Sequence, residues 1–162
     1  MRGRSALWAA LGVLAALVAM ALFAPWIAPY DPEFIDLKAR LQPYGAAHWL
    51  GTDHLGRDIL SRLIWGTRVS FSVVVVIAVA ILAAGFAVGA FSGWVGGWVD
   101  TLIMRVCEVF MTFPTFILAM FMTGILGRGM TNVILAIVLT HWAWYARITR
   151  GMVLALKNRE YI

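Results

Sequence analysis

The chain has 162 residues, of which 62% are hydrophobic and only 13% charged, and its mean hydropathy is +0.86. A soluble domain of this length needs far more polar surface, so the composition excludes one and makes lipid the solvent for much of the chain. The net charge of +5 does not point to nucleic acid, because the basic residues stand singly between long apolar runs, as topology and headgroup charges do.

Arg2 and Arg4 open the chain, and no charge follows until Asp31. Residues 6–28 predict one apolar helix. At ~1.5 Å per residue it reaches roughly 35 Å, enough to cross a hydrocarbon core of ~30 Å. A cleaved signal peptide competes, since Ala19-Met20-Ala21 fits a small-x-small cleavage site. Signal h-regions span about 7–15 residues, however, and this run continues through Phe23, Trp26 and Ile27, which favours a retained anchor over residues 1–30. Trp26 and Tyr30 then mark the far interface.

Residues 31–68 read as an extracytoplasmic loop. Within it Leu55, Ile59, Leu60, Leu63 and Ile64 recur at helical spacing, with Arg57, Asp58, Ser61 and Arg62 opposite. This predicts an amphipathic helix over 55–68, lying at the outer interface, capped by Thr52 or Asp53 and supported by an Asp58–Arg62 pair.

The remainder, residues 69–162, begins with a charge-free run from Val69 to Val99. Its β-branched stretch Val73-Val74-Val75-Val76-Ile77 favours a strand in water, but an open strand edge is untenable in lipid, so a helix is predicted. A third span falls within 101–126 and a fourth within 130–145. The Gly-rich connectors Gly93-Trp94-Val95-Gly96-Gly97-Trp98 and Gly127-Arg128-Gly129 suit turns between them. An all-α membrane bundle of about four spans follows. Arg2 and Arg4 place the N-terminus inside, and four spans return Arg147, Arg150, Lys157 and Arg159 to the same side. Lys38, Arg40, Arg57, Arg62 and Arg68 in the outer loop count against that orientation.

Few residues suggest chemistry. Gly85 and Gly89 share a helix face on which another backbone can approach closely; ordinary packing and a tight crossing in a transport path are both open. Arg105 and Glu108, at i and i+3, can pair within the third apolar segment, either as a structural anchor or in gating. Pro114 removes a helix hydrogen bond, so the span is expected to kink or break there. His48, His54 and His141 are scattered without metal-ligand spacing, and Cys107 reads as a small hydrophobe. No catalytic triad, carboxylate pair or phosphate loop is present, so no enzyme activity, metal or cofactor is expected in this chain.

The motifs also carry a resemblance. Leu50-Gly51-Thr52-Asp53-His54-Leu55-Gly56-Arg57-Asp58-Ile59-Leu60-Ser61-Arg62-Leu63 resembles the signature before the second span of the C-type permease subunits of dipeptide, oligopeptide and nickel ABC importers. Gly96-Gly97-Trp98-Val99-Asp100 with Met104-Arg105, Glu108 and Phe113-Pro114 is similar to that family's third-span region. Tyr145-Ala146-Arg147, Arg150-Gly151 and Arg159-Glu160-Tyr161-Ile162 resemble its fourth span and exit. Met111-Thr112-Phe113-Pro114-Thr115, Thr131-Asn132-Val133-Ile134 and the string from His141 to Arg147 look most like the family's nickel-transport branch, which makes nickel or a nickel chelate the first substrate and a di- or oligopeptide the second.

The resemblance implies a type I ABC importer transmembrane fold of six spans in the bacterial inner membrane. Its partners are a second permease subunit, ABC ATPase subunits that hydrolyse the ATP, an extracytoplasmic binding protein and the lipid bilayer. A cytoplasmic coupling helix is expected directly after Ile162, so the chain reads as an incomplete piece. Lys157, Arg159, Glu160 and Tyr161 lead into that coupling element, and Arg105, Glu108 and Pro114 are the gating candidates. Hydropathy alone equally permits a secondary transporter or channel using Arg105–Glu108 as an ion path, or a membrane scaffold that transports nothing.

Overall fold

A computed structural model describes residues 2–157. Among them the chain is all-helical: α1 Arg2–Ile27, α2 Ile59–Val95, α3 Gly97–Thr112, α4 Thr115–Leu126 and α5 Met130–Lys157, with a single 3-10 turn at Leu37–Ala39. Two helices are long and apolar enough to cross a membrane, Ser5–Ile27 and Ile59–Val95, and α3 with α4 makes a third if the bent pair counts as one span. Only 6% and 11% of the most apolar windows of those two helices are buried inside the chain. Their large side chains, such as Val74, Val75, Val79, Leu82 and Phe86, face outwards. Such surface is stable only against lipid or other membrane helices, so this is a multi-pass membrane protein. α5 has the length to cross, but Thr140, His141, Arg147 and Arg150 keep it outside the purely apolar class.

Two compact units divide the chain, Met1–Val73 and Val74–Ile162. In the first, the outer loop has a polar interior. The buried Thr52 hydroxyl donates to the Ala39 carbonyl and accepts the Gln42 N–H at 2.9 Å. The buried Ser61 hydroxyl accepts the Tyr30 N–H at 3.0 Å and donates to Asp58 at 2.7 Å. Gly56, at φ +77°, lies where any Cβ would overlap the backbone of Asp36. The chain can close this turn only with glycine.

These bonds correct the expected loop helix. Asp53 accepts the N–H groups of Leu55 and Arg57 at 2.8 and 3.0 Å and folds residues 53–57 into a turn instead of helix. The helix starts at Ile59. Its cap is Asp58, which accepts the Ser61 N–H at 2.7 Å, rather than Thr52 or Asp53. The Asp58–Arg62 pair does not form, because Asp58 is engaged by His48 and Ser61 while Arg62 turns to Asp53. Nothing interrupts the backbone at Arg68, so α2 runs on for 37 residues, ~56 Å at ~1.5 Å per residue. The expected loop boundary at residue 68 therefore falls within a helix that extends well past a ~30 Å hydrocarbon core.

In the second unit α2 continues through Val95. The expected six-residue connector shrinks to Gly96, with Gly96 and Gly97 at φ +71° and +61° making the turn into α3. α3 ends at Thr112, and α4 leaves at 88° to it after Pro114. Proline's missing N–H and its ring explain a break at this point. Both α3 and α4 pack on α5. The core is built from small residues, with Cys107, Ala143 and Ala146 wholly buried and Phe110 edge-on to Trp142 at 5.5 Å. Helices in lipid gain little from burying large apolar groups, and small ones let their backbones close up.

Candidate functional site

α2 meets α5 along its glycines. A Cβ on Gly85 would stand 2.5 Å from the Tyr145 Cβ and 3.0 Å from the Ala146 nitrogen. One on Gly89 would strike the Ala146 carbonyl and come within 2.8 Å of the Thr149 Cβ. Gly93 is less crowded, with Val153 at 3.0 Å. This face brings α5 to α2 almost backbone to backbone and sets where the polar residues of α5 can reach.

Two of those polar residues, Arg150 and Lys157, hold the ends of α2 and α3. Arg150 grips Asp100 with two parallel bonds, Nε to Oδ1 and Nη2 to Oδ2, each 2.5 Å. The wholly buried Ser92 hydroxyl, on α2, donates to the same Oδ1 at 2.5 Å. Asp100 itself is buried, and all its partners are donors, as a carboxylate in such a place requires. Lys157 Nζ donates to the Trp94 carbonyl at 2.8 Å, which caps the C-terminal end of α2.

Two turns along α3, Glu108 pairs with Arg105 at 2.9 Å and is approached by Arg147 at 3.6 Å. Unlike Asp100 this carboxylate is open to its surroundings, and so are both arginines. Glu108 therefore has two cations competing for it just before the break at Pro114. Thr112 donates to the Glu108 carbonyl at 2.7 Å in the last turn before that break. Arg159, Glu160 and Tyr161 lie outside the described residues.

The loop of the first unit carries a separate polar cluster. His48 Nδ1 lies 2.9 Å from Asp58 Oδ1, and the Tyr30 ring lies 4.9 Å from the His48 ring. Burial pushes the Asp58 carboxyl up, but the N–H and hydroxyl of Ser61, then the His48 bond and charge, outweigh it and hold it below its ordinary value. Burial likewise raises Asp53, and the Leu55 N–H, the Arg57 side chain and N–H and the Arg57 charge overcome it, leaving Asp53 well below the carboxylate range. The two aspartates act as anchors of the loop. Among the described residues no group of three His, Cys, Asp or Glu side chains could hold a metal ion. His54 is exposed, and His141 Nδ1 sits 3.0 Å from the carbonyl of Ile137 on its own helix.

Sequence reasoning singles out Arg105, Glu108, Pro114, Gly85 and Gly89 but misses the Ser92–Asp100–Arg150 group. Asp100 and Arg150 stand in the motifs that carry the family resemblance, but nothing there pairs them with each other or with Ser92, a serine in an otherwise apolar run.

Comparison with known proteins agrees with this helical membrane architecture. Residues 85–162 match the family of binding-protein-dependent transport system inner membrane components, and residues 2–43 match the N-terminal transmembrane domain of oligopeptide transport permease C. The chain is 53% identical to the nickel transport system permease protein NikC of Escherichia coli (strain K12), over 94% of this chain and 55% of that protein. It is 36% identical to the probable D,D-dipeptide transport system permease protein DdpC of the same organism, over 93% of this chain and 50% of that protein. With the oligopeptide transport system permease protein OppC of Bacillus subtilis (strain 168) the figures are 37%, 93% and 49%. The chain thus spans about half the length of the curated relatives it matches.

Proposed function

The chain belongs to the C-type permease subunits of binding-protein-dependent ABC importers, and from that premise we propose that it forms part of the path by which nickel, or a nickel chelate, is driven across the bacterial inner membrane. The observation that carries the substrate is the 53% identity to a nickel permease, against 36% and 37% to the two peptide permeases compared. A di- or oligopeptide is the second reading, supported by those same relatives.

On this reading the described residues make four of six spans, with α3 and α4 one broken pass and α5 the fourth. The N-terminus lies inside, so the Asp100–Arg150 end of the second unit lies inside as well. A second permease subunit, ABC ATPase subunits and an extracytoplasmic binding protein complete the machine. ATP is hydrolysed in the ATPase subunits, and this chain converts their movement into a change of access. Lys157, Arg159, Glu160 and Tyr161 lead towards the ATPase. Arg105, Glu108 and Pro114 form the gate, where a carboxylate shared by two arginines adjoins a broken helix. Broken helices in membranes line cavities or absorb motion.

The test is uptake by proteoliposomes containing the full-length protein with its second permease, ATPases and binding protein. Ni²⁺ uptake that excess dipeptide does not inhibit supports the nickel reading. Dipeptide uptake without Ni²⁺ uptake replaces it with the peptide reading.

A further inference from the structure

The two ionic ties between α3 and α5 differ in kind. Asp100 is buried, fully engaged and held by two short bonds from one planar guanidinium. Glu108 is open, has two competing cations, and is 3.6 Å from the one on α5. The ties are eight residues apart on α3, about 12 Å along its axis, but only three apart on α5, about 4.5 Å. Arg147 therefore reaches Glu108 near the limit of its length, whereas Arg150 meets Asp100 directly. A small rotation of α3 against α5 would leave the first pair intact and part the second, after which Arg105 alone neutralises Glu108. Ser92 ties the end of α2 to the same carboxylate, so three helices meet at Asp100, and the Lys157–Trp94 bond fastens α2 to α5 again further along.

We propose that Ser92, Asp100 and Arg150 form the pivot on which α3 turns, and that they transmit movement at the C-terminal end of α5 to the break at Pro114. These are positioning residues, and the proposal rests on the importer reading, in which the chain beyond Lys157 leads to the ATPase. Loss of the pivot uncouples the two ends: ATP is spent with less substrate moved.

The experiment uses the full-length protein assembled with its partner subunits in proteoliposomes, with Ni²⁺ as the probe, and reads Ni²⁺ taken up per ATP hydrolysed. Asp100→Asn keeps the shape but loses the charge, and is expected to lower that ratio about tenfold, within the range of energetic coupling between sites. Arg150→Lys keeps the charge but loses the fork and is expected to fall between Asp100→Asn and the unaltered protein. The exchange Asp100→Arg with Arg150→Asp is expected to recover part of the ratio lost in Asp100→Asn. If Asp100→Asn fails to assemble, Arg150→Lys and Ser92→Ala decide, each lowering the ratio with the complex intact. An unchanged ratio in the variants that assemble, or uptake and hydrolysis falling in equal proportion, would overturn the pivot. Absence of ATP-driven uptake by the unaltered complex, with either Ni²⁺ or dipeptide, would instead overturn the importer reading and the pivot with it.

Discussion

The α2–α5 contact makes a graded prediction from single methyl groups. In Gly89→Ala the new Cβ would collide with the Ala146 carbonyl and lie 2.8 Å from the Thr149 Cβ. Neither neighbour is the end of a flexible side chain, so α5 itself must retreat, and overpacking of this kind costs about 1–3 kcal/mol. Alanine recovers about 0.5–1 kcal/mol of helix propensity relative to glycine, which leaves a net loss of up to about 2.5 kcal/mol. Gly93→Ala meets Val153 at 3.0 Å and needs a shift of only a few tenths of an ångström, so its two effects should nearly cancel. Gly12→Ala, with nothing within 4 Å, should be neutral or stabilising by about 0.5–1 kcal/mol. Equilibrium unfolding of the full-length protein in detergent orders the three. Gly89→Ala as stable as Gly12→Ala, or more stable than Gly93→Ala, would refute the close approach of the two backbones.

Removing Asp58 by alanine should destabilise the outer loop by about 1–3 kcal/mol, because the Ser61 N–H loses its acceptor in a buried place; faster hydrogen exchange at the Ser61 amide is the check. The Asp53 carboxyl lies below its unfolded value, so its contribution to the loop is complete above about pH 4 and disappears as pH falls further through the folded value. Protection of the Leu55 amide, corrected for intrinsic exchange, should therefore stay flat from neutrality to about pH 5; loosening between pH 7 and 5 would contradict this. Glu108→Gln should change stability by less than about 1 kcal/mol, because the pairs it breaks are open, while lowering uptake; unchanged uptake would leave Glu108 a structural anchor. Pro114→Ala restores a helix N–H, and spin labels at Thr101 and Leu126 should move apart by about 10 Å as the break straightens, measured by pulsed electron resonance in bicelles.

What can be read from the sequence follows from range. Lipid-facing helices are written locally, as charge-free runs, so the first two spans and the proline break are legible in consecutive residues. The loop helix begins later than its apolar spacing suggests, because that spacing over residues 55–64 is a weaker force than the bonds the Asp53 and Asp58 side chains offer to nearby N–H groups. The glycine spacing on α2 marks a face, but only the fold identifies α5 as the helix against it. Asp100 and Arg150 are fifty residues apart, and neither neighbourhood announces the other. Such a pair is defined by tertiary geometry, and so the residues that escape a reading of the sequence are those joining three helices.

On the proposed function this chain works as part of an ATP-driven importer. The most direct measurement is Ni²⁺ uptake by cells carrying the full-length protein and its partner subunits, with ATP depleted in one sample and the proton gradient collapsed by an ionophore, at constant ATP, in another. Uptake should stop when ATP is removed and persist when the gradient is lost. Uptake that survives ATP depletion and fails with the gradient would contradict that function and make the protein part of a secondary transporter.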